Sequence, residues 1–292
     1  MIFAASRWRA FSATMGLAAC GCGVGIAQPI SAAIASTTDA SAAMVSTTDA
    51  SDAQSDAADP LATGLVAYWK LDEMSPSDVV VDSSGRGHSG MSVNGPLPST
   101  STPPIPSSGG ASRSFDGVSQ YIVIPQNPEM NFSGPATLAA WVNIAATTAG
   151  CHYFVSHGYC QIPPGEIALR LGAPGCGPGT LDHYWAVGSW LSAEHSAIAP
   201  LSSLDYNVWV HIAGTYDGQA WHLYKNGVEI GTQASTVGAV PVEADWWIGA
   251  RGMANPPCVP SAAMRFFDGL IAEVRVYNRA LSPSEMLELY RR

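Results

Sequence analysis

Val208-Trp209-Val210-His211-Ile212-Ala213 runs into Asp217-Gly218, and Ala220-Trp221-His222-Leu223-Tyr224 then runs into Asn226-Gly227, with the stretch ending at Thr232. Both dipeptides favour the pair of positive φ angles that a type I′ hairpin demands. The stretch therefore predicts three antiparallel strands joined by two tight turns. Strand-like runs continue on both sides. They include Leu65 to Trp69, Val79 to Val81, Tyr121 to Ile124, Leu138 to Val142, Tyr153 to Val155, Ile167 to Leu171 and Ile271 to Tyr277. Turn-forming residues punctuate them every 8–20 residues, the spacing of an all-β sandwich or barrel.

Composition agrees with the strands. The chain has 292 residues, of which 47% are apolar and 12% charged, with 29 Gly and 21 Pro. That apolar share suffices for a core and excludes wholesale disorder. The formal charge is −10, the wrong sign for a nucleic-acid-binding surface. Beyond the first 20 residues no run of 18 apolar residues occurs, so no transmembrane helix is predicted.

The two ends differ from the middle. Residues 1–20 read as an export signal, with Arg7 and Arg9 before the apolar stretch Ala10 to Ala19. Leu17-Ala18-Ala19-Cys20-Gly21 resembles a bacterial lipobox, which implies lipidation at Cys20; a secretory cut after Gly25-Ile26-Ala27 is the rival. Either way the mature protein is expected outside the cytoplasm, in the cell envelope or secreted, where disulfides are permitted. Residues 21–63 read as a disordered Ala/Ser/Thr/Asp linker in which Ser36-Thr37-Thr38-Asp39-Ala40-Ser41 recurs as Ser46-Thr47-Thr48-Asp49-Ala50-Ser51. Its 36 residues from Gln28 onward would span roughly 30–36 Å as a flexible tether. Two arginines in the leader and five aspartates in the linker leave −7 for the folded head, residues 64–292. At the far end Ser282, Pro283 and Glu285 form the signature of a capped helix, with Met286, Leu289 and Tyr290 on one face.

The head resembles a known family. Ala67-Tyr68-Trp69-Lys70-Leu71-Asp72-Glu73, Asp82-Ser83-Ser84-Gly85, Phe115-Asp116-Gly117, Ala140-Trp141-Val142, Trp209-Val210-His211, Tyr216-Asp217-Gly218, Tyr224-Lys225-Asn226-Gly227, Ile248-Gly249 and Phe267-Asp268-Gly269 occur in the order of a laminin-G-like jelly-roll domain. Glu273 to Ser282 with Glu285 is similar to that family's ending. The resemblance implies an all-β, two-sheet antiparallel jelly-roll sandwich of the concanavalin A-like type, closed by a short C-terminal helix. It also implies binding of a glycan or an extracellular protein, on a fold that some hydrolases and lyases share. Related sandwiches often hold calcium, and similar sequences carry Asp where this chain has Ala272; Asp72 and Asp116 are the remaining candidates.

Catalytic residues are not evident. A retaining glycosidase needs two carboxyls about 5–5.5 Å apart, and hydrolases of this fold class carry a Glu-x-Asp-x-x-Glu strand motif that the chain lacks. Glu166 stands alone at a strand start, and Glu273 reads as structural. The expectation is a binding module without catalytic activity, with a hydrolase or lyase and a structural surface protein as alternatives. Sugar rings stack on aromatic faces, which makes His183, Trp185, Trp190 and Trp221 the candidate ligand contacts; Trp69, Trp141 and Trp209 read as core. The head's four cysteines are expected to pair as Cys151–Cys160 and Cys176–Cys258. A zinc site using His152 and His157 is disfavoured, because an odd spacing sends them to opposite faces of a strand.

Overall fold

Alternation of apolar and polar residues, broken by Gly, Asn and Asp at the turns, gives sixteen strands among the residues that the computed structural model describes: 59–75, 78–106, 109–145, 150–158, 166–172, 184–252 and 265–292. In chain order they are β1 (Leu65–Trp69), β2 (Val79–Val80), β3 (Gly90–Val93), β4 (Leu97–Ser99), β5 (Ser112–Asp116), β6 (Tyr121–Ile124), β7 (Ala136–Ile144) and β8 (His152–Gly158). They continue with β9 (Glu166–Leu171), β10 (Tyr184–Leu191), β11 (Ala193–Pro200), β12 (Trp209–Tyr216), β13 (Ala220–Lys225), β14 (Val228–Ala234), β15 (Trp246–Ile248) and β16 (Asp268–Tyr277). One helix, α1 (Pro283–Arg291), follows.

The strands form two antiparallel sheets. The first has the order β14-β13-β12-β7-β16-β5-β4, with β1 also paired to β16; the second runs β11-β10-β9-β8-β15-β6-β3-β2. This is the expected jelly-roll sandwich. Its core lies between the sheets, where Leu138, Ala140, Val142 and Ile144 of β7 meet the layer that holds Ile167, Leu169 and Leu171 of β9. Each large side chain removed from water there contributes about 1.5–3 kcal/mol.

The first sheet is covered on its outer side too. Met286 and Leu289 of α1 pack with Leu61, Leu281, Tyr277 and Ala139. Two-sided burial explains why β7 is apolar almost throughout. The Ser282 hydroxyl accepts from the Glu285 amide while the Glu285 carboxylate accepts from the Ser282 amide, the reciprocal cap that the sequence predicted. Among the described residues no such helix covers the outer side of the second sheet.

Two expectations change, at the Asp217-Gly218 turn and at His152 and His157. The β12–β13–β14 meander is present, and Asn226 (φ 51) and Gly227 (φ 78) make the predicted turn. At Asp217-Gly218 the glycine alone has positive φ; the Asp217 carboxylate instead accepts from the Gln219 and Ala220 amides. Ahead of residue 64, Leu61 is buried and Asp59 pairs with Arg292 at 2.7 Å. In the Pro-rich stretch after Pro96, β4 edges the first sheet and Ile105 packs against Trp141. A bulge between Tyr153 and Val155 cancels the alternation along β8, so His152 and His157 register with the core-facing Leu171 and Ile167. Through one ring nitrogen each bonds a carbonyl, of Phe266 and Ala244 respectively.

Candidate functional site

Side chains of successive strand residues point to opposite faces. With Ile167, Leu169 and Leu171 in the core, Glu166, Ala168 and Arg170 must face outward. Pairing with β8, β10 and β11 aligns these positions into rows across the strands. Gly158, Glu166, Trp190 and Glu194 form one row, and Ser156, Ala168, Gly188 and Ser196 the next. Tyr153 and Arg170 begin a third. The middle row carries small side chains and the outer rows large ones, which makes a trough across the strands.

The trough holds a pocket of about 280 Å³. Its polar wall includes two ion pairs, with Arg265, Ser189 and Ser196 beside them. Glu166 meets Arg251 through two hydrogen bonds of 2.9 and 2.7 Å. Arg170 pairs with Glu194 and donates to the Gly172 carbonyl at 2.5 Å. Tyr153 lies beneath both guanidiniums, at 5.8 Å from Arg170 and 5.4 Å from Arg251. Burial, with the Glu166 charge added, pushes its phenol up to about 12, so it stays protonated. Trp190 is half-buried at the rim. The floor is kept low by Gly188, where a Cβ would stand 2.2 Å from the His195 carbonyl oxygen. Farther along the middle row comes Trp247, paired with Ser156 and stacked on Tyr121 at 4.5 Å. Fixed hydrogen-bonding groups beside an aromatic rim are what a polyhydroxylated ring needs: C–H faces stack, and charged groups bind hydroxyls.

Of the three predicted ligand contacts that fall among the described residues, Trp190 alone lines this pocket. Trp185 and Trp221 are fully buried. Trp185 stands on the core-facing positions of β10, packs on Phe154 and donates to Asp205 at 3.1 Å. Trp221 packs on Tyr216 and donates to the Val237 carbonyl at 2.9 Å. Neither has surface to offer a ligand. His183 lies outside the described residues, as do Cys20, Cys160, Cys176 and Cys258; Cys151 is disulfide-bonded. Trp69 and Trp141 are core as expected, while Trp209 is half-buried and donates to Ser101.

The two calcium candidates are Asp72 and Asp116. The Asp116 carboxylate already accepts from the amides of Val118, Ser119 and Gln120 and from the Ser119 hydroxyl. Asp72 lies against Gly109, whose missing Cβ leaves it room. Among the described residues no three His, Cys, Asp or Glu side chains are grouped so that they could hold a metal ion.

Sequence reasoning missed Tyr153, Arg170, Glu194 and Arg251, and left Glu166 alone. The signal was present in Glu166-Ile167-Ala168-Leu169-Arg170-Leu171, where charged residues share one face of a strand whose other face is wholly aliphatic.

Several solved structures share the fold. Domain 4 of AbnA, a GH43 extracellular arabinanase from Geobacillus stearothermophilus solved with arabinotriose, is 21% identical, with a TM-score of 0.56 over 77% of this chain and 98% of that domain. The binding domain of Paraclostridial Mosquitocidal Protein 1 is 15% identical, with a TM-score of 0.57 over 79% of this chain and 52% of that one. Trypanosoma rangeli sialidase is 19% identical, with a TM-score of 0.53 over 78% of this chain and 32% of its own. The chain thus spans about half of the toxin domain and a third of the sialidase. No curated protein matches the sequence. Residues 116–286, more than half of the chain, match the family described as the concanavalin A-like lectin/glucanases superfamily, and the chain belongs to that family.

Proposed function

We propose that the protein is a carbohydrate-binding module that works outside the cytoplasm without catalysing a reaction, held on a tether that is lipid-anchored at Cys20. The observation that carries this reading is the cross-strand trough, in which Trp190 and Tyr153 stand beside two Arg–Glu pairs. Two structural neighbours support it: the arabinanase domain was solved with arabinotriose and a botulinum neurotoxin binding domain with SialylT. Both pocket carboxylates are engaged by guanidiniums, an arrangement suited to holding hydroxyls in place.

The test is a glycan array probed with the purified full chain, with Ca²⁺ and again with chelator. Selective binding that Trp190→Ala abolishes is expected. A blank array under both conditions would move the reading to a protein ligand or a structural role.

A second reading rests on one observation. Glu166 and Glu194 flank Trp190 in a single row, two strand spacings or ~9.6 Å apart at the backbone. An inverting glycosidase holds its carboxyls about 6.5–9.5 Å apart. Release of reducing ends from the bound glycan, lost in both Glu166→Gln and Glu194→Gln, would replace binding with hydrolysis.

A further inference from the structure

The first sheet carries a second cavity, independent of the trough. It encloses about 330 Å³ between β1, β16, the turn Pro60–Ala62 and the end of α1. Its lining divides by polarity. Leu61, Leu65 and Leu289 form the apolar part, while Lys70, Arg275 and Arg292 face a single lining carboxylate, Asp59. Counting Glu273 on Arg275 and Glu288 on Arg292, three carboxylates meet the three cations, and Lys70 is the cation left without an ion pair among the described residues.

Arg275 is the fixed point. It is 7% exposed, and its guanidinium sits over Tyr68 at 3.9 Å from the ring centre. Nη2 donates to Glu273 at 2.9 Å, whereas Nη1 has no hydrogen-bond partner among the described residues. Glu273 Oε2 also accepts from the Tyr68 hydroxyl at 2.5 Å. A buried donor without an acceptor is costly, and native structures rarely leave one. Lys70 forms no ion pair among the described residues. Arg292 is shared between Asp59 and Glu288, all three in contact with solvent, so that its bridges can exchange.

We propose that this cavity binds a small amphiphilic carboxylate, with the acid group between Lys70 and Arg275 and the apolar body against Leu61, Leu65 and Leu289. A guanidinium held flat by an aromatic ring offers a planar edge that matches a carboxylate. The leucines give a free phosphate ion nothing to contact. A sugar ring is the poorer occupant, since Arg275 already covers Tyr68.

The probe is sodium benzoate, titrated calorimetrically into the purified full chain, with benzamide and inorganic phosphate as controls for charge and shape. Benzoate is expected to bind saturably, and each control about tenfold more weakly or worse. Lys70→Gln is expected to weaken benzoate about tenfold without changing the melting temperature; Arg292→Gln serves as the second variant should Lys70→Gln fail to fold. Trp190→Ala, in the other pocket, should leave benzoate binding unchanged, so failure here is separable from failure of the glycan reading. Absence of saturable benzoate binding, equal binding of either control, or a folded Lys70→Gln that binds benzoate normally would each overturn the proposal.

Discussion

Glu166 and Arg251 meet fork to fork, Nε donating to Oε1 at 2.9 Å and Nη2 to Oε2 at 2.7 Å, with both side chains largely withdrawn from water. Removing one partner strands the other. Arg251→Ala is expected to destabilise by about 3 kcal/mol, the low end for a broken buried pair. Arg251→Lys keeps the charge but not the fork, so glycan affinity should fall while the fold survives. The two single variants and Glu166→Gln/Arg251→Ala, compared by urea unfolding, should be strongly non-additive. Additive losses would mean that the pair is not coupled.

Trp185 and Trp190 lie in one strand and should behave as opposites. Trp185 is fully buried between the sheets, and truncating it to Ala should cost about 3–5 kcal/mol. Trp190 is half-buried at the pocket. Its Ala variant should lose about 1 kcal/mol of stability and about tenfold or more in glycan affinity. Equal binding by both folded variants would remove Trp190 from the site.

The contrast between these two tryptophans shows what the sequence could carry. Strand positions, the Asn226-Gly227 turn and the capped helix rest on local chemistry, and all are found where local chemistry puts them. Which face of a strand meets the core depends on the partner sheet, so Trp185 and Trp221 could not be told from surface rings by inspection. The pocket is less legible still. Glu166 and Arg251 are joined across 85 residues by the order of strands, and nothing local announces that pairing. The bulge at Tyr153–Val155 likewise overrides an alternation rule that has no means of anticipating it.

Gly188 sets the depth of the trough. An added Cβ would stand 2.2 Å from the His195 carbonyl oxygen and 2.5 Å from Ser196 Cα, both backbone atoms of the neighbouring strand. Backbone cannot swing aside as a side chain does. Gly188→Ala should therefore push β11 away at a cost of about 1–3 kcal/mol and weaken glycan binding. A variant with unchanged thermal stability would show that β11 yields without cost.

Acid should destabilise the fold before its carboxylates titrate. His157 and His211 are 3% and 1% exposed. Burial pushes His157 down to about 4, against the opposing hydrogen bond to Ala244, and pushes His211 down to about 3 with the Arg275 charge adding to it. Both lie below the ordinary 6.5 of the unfolded chain. The unfolded state therefore takes up protons first. Stability is full above about pH 6.5, declines as pH falls, and this contribution stops changing near pH 3–4. At pH 5 each histidine should cost on the order of 2 kcal/mol. His222 works the other way: against a lowering from burial, Glu229 and Asp217 raise it, so its ion pairs contribute below the unfolded value and are lost as pH rises. Those pairs are part-exposed and their effect is small. The lowered carboxylates Asp82, Asp116 and Asp205 contribute above the ordinary 3.8 and are lost only below it. The loss between pH 6.5 and 5 is therefore expected from His157 and His211, while Glu273, raised by burial, gains stability as pH falls and works against it. His211 makes the sharper test, because neither ring nitrogen has a hydrogen-bond partner among the described residues and Trp141 and Tyr290 flank the ring. His211→Phe deletes no hydrogen bond, so it should leave the urea midpoint at pH 7.5 nearly unchanged and remove about half of the loss between pH 7.5 and 5. An undiminished loss in that variant would place the acid sensitivity elsewhere.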